Sequence, residues 1–337
     1  MNFTTSRLLT PSVLLVTPAL WLTLALPVCR AETEETLDKT FAASAGGRLV
    51  VDVDFGAIEI STNATSEVTV HVWRKVSRKD KTEEEEFLRE RPVTFSQDGN
   101  TLTVRSQRGN KRAPFWRGPQ RTDAKYTIAV PAQFSAQLKT AGGGITVSDL
   151  TGTVNAHTSG GSLKFTHLHG PLDGQTSGGG VAVAGCEGTL KVNTSGGAIE
   201  VAAGSGTLTG ETSGGPIRVK SFRGPARVQT SGGRITLEDV GGAVEGSTSG
   251  GAISALFHEP LADSVKLETS GGGVTLQVPE KSAFDLDAVT TGGGVSSDLP
   301  VIPGGKPARN RLQGAVNGGG KAVTLRTSGG RIEVKTL

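Results

Sequence analysis

The segment from Arg105 to Lys125 holds the densest group of side chains that could bind a charged partner. It contains seven basic residues against one acidic residue, Asp123, and Phe115 and Trp116 stand in its middle. Cationic groups beside exposed aromatic rings can engage an anionic envelope polymer or lipid headgroups through charge attraction and cation–π contact. The segment is therefore predicted to be a partner-binding loop. Its candidate contact residues are Arg108, Lys111, Arg112, Phe115, Trp116, Arg117 and Arg121.

The same segment also fits a purely structural role. Phe115 and Trp116 could pack back against the protein, while the basic residues pair with the glutamate run at 83–86. Bulk charge excludes a nucleic-acid partner, because the net charge of the whole chain is only +3 and nucleic-acid binders carry a strong basic excess. An envelope polymer, a membrane surface and a protein remain as candidate partners.

Metal and catalytic sites find little support in the residue pattern. Calcium-binding solenoids with Gly-Gly turns need an aspartate in each turn as an oxygen ligand, and the turns here carry Thr and Ser. His157, His167 and His169 lie close in sequence, but no Cys, Asp or Glu completes an obvious zinc set. The repeats also lack the outward acidic and basic cluster typical of polysaccharide-cleaving β-helices. We therefore expect no cofactor, no metal site and no catalytic residue, and hence no enzymatic activity.

Residues 1–31 are predicted to be a secretory signal peptide. Arg7 supplies the positive start, a mostly apolar stretch follows up to Val28, and small residues precede a cleavage site after Ala31. The alternatives are an uncleaved membrane anchor and lipidation of Cys29. We expect cleavage and export to the periplasm, the cell surface or the medium. No other segment of the sequence is long and apolar enough to span a membrane.

An internal repeat dominates the chain beyond this segment. The tetrapeptide Thr-Ser-Gly-Gly recurs every 18 residues from Thr158 to Thr248, and a variant at Thr140 extends the series backwards. After longer steps of 21, 21 and 37 residues stand Thr269, Thr290 and Thr327. Five residues after each of these threonines stands Ile, Leu or Val. A second apolar residue usually follows two positions later, which is the spacing of a half-buried β-strand.

This pattern predicts an all-β fold, namely a parallel β-solenoid (a single-stranded β-helix) with about 18 residues per coil. Stacking of coils about 4.8 Å apart would bury one continuous apolar interior. Gly-Gly is expected at each corner because a tight reversal often requires φ > 0. The corner threonines should point inward and form a ladder of mutually hydrogen-bonded hydroxyls. Cys186, which takes the place of Leu or Phe in neighbouring coils, should be a buried apolar residue and not a reactive thiol.

The chain divides into a signal peptide at 1–31, an N-terminal β-rich cap at 32–135 and the solenoid repeat region at 136–337. A cap is expected because the open end of a strand ladder must be covered. Residues 40–337 could equally form one continuous domain.

Within the cap, alternating apolar residues predict a strand from Gly46 to Val53. Thr82 to Glu90 is predicted to be a short helix, with Thr82 as its N-cap and glutamates in its first turn. A turn at 98–100 between two apolar runs predicts a hairpin.

The strand Tyr126–Pro131, the start of the repeats at Thr140–Val147 and the TSGG-x-[IVL]-x-[VLF] coils after it resemble the bacterial "putative adhesin" domain family of unknown function. That family has glycine-rich β-solenoid repeats, and the strand, helix and hairpin between residues 68 and 104 also fit it. The resemblance covers roughly residues 40–337. It implies the fold and an adhesin-like role, and it brings no catalytic residues.

Three functions are compatible with these observations. The first is an exported, non-enzymatic structural or adhesin-like protein that presents its repeat surface to an envelope component or a protein partner. The second is a carbohydrate-active β-helix enzyme, which an acid pair lining a groove would favour. The third is a glycan or ice binder that uses rows of outward hydroxyls. Because the threonines are predicted to face inward, we favour the first function.

Replacing Ile217 by Asp tests the inward assignment. A carboxylate without a partner is costly in an apolar interior, so the free energy of unfolding should fall by more than about 4 kcal/mol. Thermal melts followed by circular dichroism measure this change. Arg218→Asp, one position along the same strand, is the control and should leave the midpoint nearly unchanged. An unchanged midpoint for Ile217→Asp would contradict the assignment.

Overall fold

The computed structural model describes residues 32–107, 121–305 and 308–337, and within these ranges the chain is almost entirely β-structure with one helix. The predicted signal peptide, residues 1–31, lies outside the described residues. The elements are β1 (Thr33–Ala42), β2 (Gly47–Val53), β3 (Ala57–Asn63), β4 (Glu67–Ser77), α1 (Lys81–Glu90), β5 (Thr94–Asp98), β6 (Thr101–Ser106), β7 (Arg121–Pro131), β8 (Phe134–Thr140), β9 (Ile145–Ser148), β10 (Val154–Thr158), β11 (Leu163–Thr166), β12 (Leu172–Thr176), β13 (Val181–Ala184), β14 (Glu187–Thr194), β15 (Ile199–Ala202), β16 (Ser205–Thr212), β17 (Ile217–Phe222), β18 (Ala226–Thr230), β19 (Ile235–Val240), β20 (Val244–Thr248), β21 (Ile253–Leu256), β22 (Val265–Thr269), β23 (Val274–Val278), β24 (Phe284–Thr290), β25 (Val295–Ser297), β26 (Val301–Pro303), β27 (Arg311–Val316), β28 (Lys321–Thr327) and β29 (Ile332–Thr336).

The strands form two sheets, here called sheet A and sheet B. Sheet A has the order β1-β4-β7-β3-β9-β11-β13-β15-β17-β19-β21-β23-β29-β25, and sheet B has the order β26-β27-β24-β28-β22-β20-β18-β16-β14-β12-β10-β8-β2-β6-β5. From β8 to β23, each coil gives one strand to sheet B and the next strand to sheet A. Neighbouring coils pair in parallel, so that Val154 lies opposite Leu172 and Leu163 lies opposite Val181. Residues 18 positions apart are thus ladder neighbours, which confirms the predicted parallel β-solenoid.

The interior between the two sheets holds the apolar residues that the repeat predicted. Ile217 and Val219, five and seven residues after their corner threonine, are both 0 % exposed. Cys186 is a buried free thiol, and its burial raises its pKa, in agreement with the expected apolar role. In the same ladder Gly204 makes room for a larger neighbour, since a Cβ on this glycine would lie 3.0 Å from the ring of Phe222.

The corner threonines point inward as predicted, but their hydroxyls do not bond to one another. The Thr158 hydroxyl donates to the carbonyl of Gly143 in the preceding coil at 2.8 Å and accepts the N–H of Gly161 in its own corner at 3.3 Å. The predicted hydroxyl-to-hydroxyl ladder is wrong because coils stack about 4.8 Å apart, which is too far for a hydrogen bond. The same pair of bonds recurs at Thr176, Thr194, Thr212, Thr230 and Thr248.

The second glycine of each corner is required by close approach of the backbone. A Cβ on Gly215 would lie 1.8 Å from the carbonyl oxygen of Gly197 in the preceding coil. A Cβ on the first glycine, Gly214, would meet its nearest atom at 3.8 Å, an ordinary contact. Neither residue has a positive φ, so the predicted conformational reason for Gly-Gly is wrong at this corner.

The N-terminal end of the stack is built from coils that are out of sequence order. β2 and β3 form a coil beside β8 and β9, with parallel pairing in both sheets. β6 and β7 form the next coil outward. β5 then closes sheet B as an antiparallel edge strand, and β4 and β1 close sheet A in the same way. The predicted hairpin is present as the β5–β6 pair. Both sheets continue without a break across residue 135, where the sequence analysis placed the boundary between the cap and the repeat region.

The C-terminal end is rearranged in a similar way. The last coil of the sequence, β28–β29, lies between the β22–β23 coil and the β24–β25 coil. The sequence order of corners, Thr269, Thr290 and Thr327, therefore becomes Thr269, Thr327 and Thr290 in space. β27 and then β26 continue sheet B beyond β24 with antiparallel pairing.

The predicted short helix is present as α1, but its N-cap differs from the prediction. The Asp80 carboxylate accepts the backbone N–H of Glu83 at 3.0 Å, so Asp80 caps the helix and Thr82 lies in its first turn. Buried Glu84 accepts the hydroxyl of Thr33 at 2.7 Å, which ties β1 to the helix. α1 has ten residues, and within the described ranges no helix has the length and apolar character needed to cross a bilayer.

The two corner glycines of one coil provide a matched test of this packing. Gly215→Ala should lower the free energy of unfolding by about 3 kcal/mol, because the new methyl group overpacks against the preceding coil. Gly214→Ala should change it by less than about 0.5 kcal/mol. Urea unfolding measures both values. Equal losses in the two variants would contradict the close-approach explanation.

Candidate functional site

The stacked coils form a rod with two edges. At the first edge, the Thr-Ser-Gly-Gly corner, a coil passes from sheet B to sheet A. At the second edge it passes from sheet A back to sheet B, and most coils turn there on a residue with left-handed backbone. From Thr140 to Thr230, the residues nine positions after the corner threonines have φ between 49° and 62°, a region that Asp and His tolerate better than most residues. They are exposed or partly exposed and stack from coil to coil. These residues are Asp149, His167, Gly185, Ala203, Ser221 and Asp239.

A groove of about 690 Å³ lies along this edge. Part of its lining is the small-residue segment 203–205, which leaves a notch between Glu187 and Arg223 of the two neighbouring coils. Another part is the segment 257–262, which belongs to a coil lengthened from 18 to 21 residues. The groove thus forms where two local changes interrupt an otherwise regular edge. Its charged and hydroxyl-bearing lining residues are Glu187, Ser205, Ser221, Arg223, Asp239, His258 and Glu259.

Asp239 and His258 form the most closely coupled polar pair of the groove. The backbone N–H of His258 donates to Asp239 Oδ1 at 2.9 Å, and the ring Nδ1 lies 2.8 Å from Oδ2. Partial burial acts to raise the pKa of Asp239, but the bonds from His258 outweigh this effect and hold the pKa below its ordinary value of 3.8. Asp239 is therefore a fixed carboxylate at neutral pH, and the His258 Nε2 remains for a ligand.

The guanidinium of Arg223 is available for a ligand as well. Its backbone N–H donates to the Gly204 carbonyl at 2.8 Å, whereas its side chain forms no ion pair or hydrogen bond within the described part of the chain. Glu187 lies across the notch, and its carboxylate is 3.2 Å from Nδ1 of His169. The groove consequently offers separate cationic and anionic groups.

An Asp–His pair can support acid–base catalysis, but the order of groups here differs from that of a Ser-His-Asp triad. A triad needs the imidazole between the carboxylate and the hydroxyl. Ser221, Asp239 and His258 belong to three successive coils, so the carboxylate stands between the hydroxyl and the imidazole. The geometry suits the binding of a polar ligand better than nucleophilic catalysis.

The three histidines that the sequence analysis considered are solvent-exposed, and two of them, His167 and His169, lie on the same edge, whereas His157 lies in β10 of sheet B. His167 Nδ1 is 3.1 Å from Asp149 Oδ1, and His169 faces Glu187. The sequence analysis found no acidic partner for them because each partner is 18 residues away in the neighbouring coil. Among the residues described, no group of three or more His, Cys, Asp or Glu side chains is arranged to hold a metal ion.

Most of the predicted partner-binding loop lies outside the described residues, namely Arg108, Lys111, Arg112, Phe115, Trp116 and Arg117. Arg121 is described and is exposed at the start of β7. Its backbone carbonyl accepts Nη1 of Arg78 at 2.9 Å. The flanking strands β6 and β7 form the outermost two-strand coil at the N-terminal end of the stack.

Sequence reasoning missed the groove and the Asp239–His258 pair. The available signal was the change of repeat step from 18 to 21 residues after Thr248. Extra residues in one coil of a regular solenoid must leave the ladder as a loop, and loops on one edge of a solenoid commonly carry binding sites. The repeat count alone could not show that 203–205 opens a notch three coils away.

Comparison with known proteins gives one family match. The family model described as Toastrack DUF4097 matches residues 47–335. A "putative adhesin" of Bacteroides fragilis NCTC 9343 aligns at 12 % identity over 90 % of this chain and 97 % of its own, with a TM-score of 0.33. A "putative cell adhesion protein" of Clostridium sporogenes ATCC 15579 aligns at 12 % identity over 90 % and 100 %, with a TM-score of 0.20. A "putative adhesin" of Parabacteroides merdae ATCC 43184 aligns at 13 % identity over 89 % and 96 %, with a TM-score of 0.33. No curated protein matches the chain.

The depressed pKa of Asp239 predicts a pH-dependent contribution to stability. The ionised form is favoured in the folded state, so the contribution is complete above the unfolded value of 3.8 and is lost as the pH falls through the lower folded value. The difference in melting temperature between the wild type and Asp239→Asn should therefore shrink as the pH falls from about 5 into more acidic buffer. Asp298→Asn, at an exposed site elsewhere, is the control. A difference that grows on acidification would contradict the assignment.

Proposed function

The chain belongs to the Toastrack DUF4097 family, and from that premise we propose that it is an exported, non-enzymatic, adhesin-like protein whose rod presents its outer surface to an envelope component or a protein partner. The predicted signal peptide at 1–31 supports export. The proposed localisation is the periplasm, the cell surface or the medium.

The division between constant inner positions and variable outer positions is the observation that carries this proposal. Five residues after each corner threonine the side chain is Ile, Leu or Val, and in the central coils it is buried. The side chain one position further points outward, and its type differs between coils of the same face, as in Lys164, Glu200 and Arg218. Repeat proteins with such a division keep a common core and vary the surface that binds partners.

A carbohydrate-active protein is the second candidate, and the polar groove favours it. The groove contains a carboxylate held in its ionised form and a free guanidinium, both of which can bind sugar hydroxyls. Because Asp239 separates Ser221 from His258, we place this candidate among binding proteins and not among hydrolases.

The basic segment between β6 and β7 is the proposed contact for anionic envelope material. Its charge and its aromatic pair support this assignment, as does the position of the flanking strands at one end of the rod. The proposed contact residues are Arg108, Lys111, Arg112, Phe115, Trp116, Arg117 and Arg121.

Binding of the purified protein to isolated envelopes of the cells that produce it tests the proposed function. We expect saturable co-sedimentation, which the double variant Arg112→Glu, Arg117→Glu should weaken about tenfold or more, since two attractive charges become repulsive. Binding to vesicles with and without anionic lipid then shows whether the partner is a lipid surface. Binding to envelopes but to neither kind of vesicle would indicate a polymer or a protein.

The control is the double variant Arg309→Glu, Arg311→Glu, which makes the same charge change at exposed positions beside and in β27, away from the repeat face and at the other end of sheet B. Its binding should stay within about twofold of wild type, because these residues lie outside the loop. Absence of saturable binding by the wild type would refute the proposed function. Equal binding by wild type and the loop variant would remove the loop from it.

A further inference from the structure

Along the floor of the groove, from Ser205 to Gly241, the backbone N–H groups are paired with the preceding coil. Ser205 N–H donates to the Cys186 carbonyl at 3.0 Å, Arg223 N–H to Gly204 at 2.8 Å, and Gly241 N–H to Phe222 at 2.8 Å. A peptide that adds as a β-strand needs free backbone donors and acceptors. A ligand in this groove must therefore be bound by side chains.

The side chains of the groove offer one strong donor among several acceptors. The donor is the guanidinium of Arg223. The acceptors are the carboxylates of Glu187, Asp239 and Glu259 and the Nε2 of the neutral His258 imidazole, whose Nδ1–H donates to Asp239. The aromatic side chains Phe222 and Phe257 are buried beneath them, at 0 % and 6 % exposure. Such a lining matches a ligand that carries many hydroxyl groups and little apolar surface.

The dimensions and charge of the groove restrict the class of ligand further. Its lining residues come from five successive coils, from the Thr176 coil to the Thr248 coil, which span roughly 20 Å along the rod. Three carboxylates against one guanidinium give the lining an excess of negative charge, which repels an acidic chain. A linear chain of neutral or amino sugars fits both properties.

We propose that this groove is a glycan-binding site that holds a linear chain of neutral or amino sugars along the rod axis. The proposal rests on the proposed function, because it names a ligand class for a protein that acts by binding. Arg223 donates to ring or hydroxyl oxygens, and Asp239, oriented by His258, accepts hydroxyl or ammonium protons from the same chain. The small side chains of Ala203 and Ser205 leave room for the chain to pass over them.

Isothermal titration with defined oligosaccharides tests this site in the full protein. The probes are maltohexaose, chitin hexamer, chitosan hexamer and, as the acidic arm, hexagalacturonate. We expect saturable binding of at least one of the first three probes and none of hexagalacturonate. Arg223→Gln should weaken the binding about tenfold or more, because a charged hydrogen-bond donor is lost. Arg218→Gln, in the same coil but on the outer face of sheet A, should leave it unchanged.

A second variant keeps the test independent of the charge of Arg223. Ala203→Asn places in the notch a side chain of the size that the equivalent left-handed position holds in other coils as Asp149 and Asp239, so the fold should persist and binding should be lost. Binding to none of the three uncharged or amino-sugar probes, or equal binding by Arg223→Gln and Arg218→Gln, would overturn the glycan site. If the glycan site fails but the wild-type protein still binds isolated envelopes, the proposed function remains supported. If the wild-type protein does not bind envelopes, both proposals are refuted.

Discussion

The spacing of about 4.8 Å between stacked coils is the constraint on which the rest of the molecule depends. At each Thr corner it brings the second glycine so near to the preceding coil that no Cβ can be accommodated. The threonine next to it then bonds one backbone group below and one within its own corner. Side chain and glycine thus act together, because the hydroxyl satisfies polar groups that the tight corner would otherwise bury without partners.

The sequence predicts the central coils well because their period is constant and their apolar spacing is that of strands. Burial of Ile217, the inward threonines and the apolar role of Cys186 all follow from counting positions. The partner of the Thr hydroxyl does not follow, since counting places threonines beside threonines without giving the distance between them. The N-cap Asp80 was missed for a simpler reason, because Thr82 is also a good capping residue and only the backbone decides between them.

Interactions between distant parts of the sequence set the limit of prediction for the candidate site. The partners His167 and Asp149, like His258 and Asp239, are separated by a full coil. A repeat period shows which positions become neighbours, but it does not show where side chains are small enough to open a groove. The groove depends jointly on 203–205 and on the lengthened coil that supplies 257–262, and only the second of these leaves a mark in the spacing of the repeats.

The interleaved ends restrict how the rod can change its length in evolution. Because β28–β29 is held between two earlier coils, both edges of this coil are already paired and a further coil could not stack directly on it. The coil formed by β2 and β3 is enclosed in the same way at the other end. Longer or shorter relatives should therefore arise by duplication or deletion of 18-residue units between Thr158 and Thr248, with both terminal assemblies inherited intact.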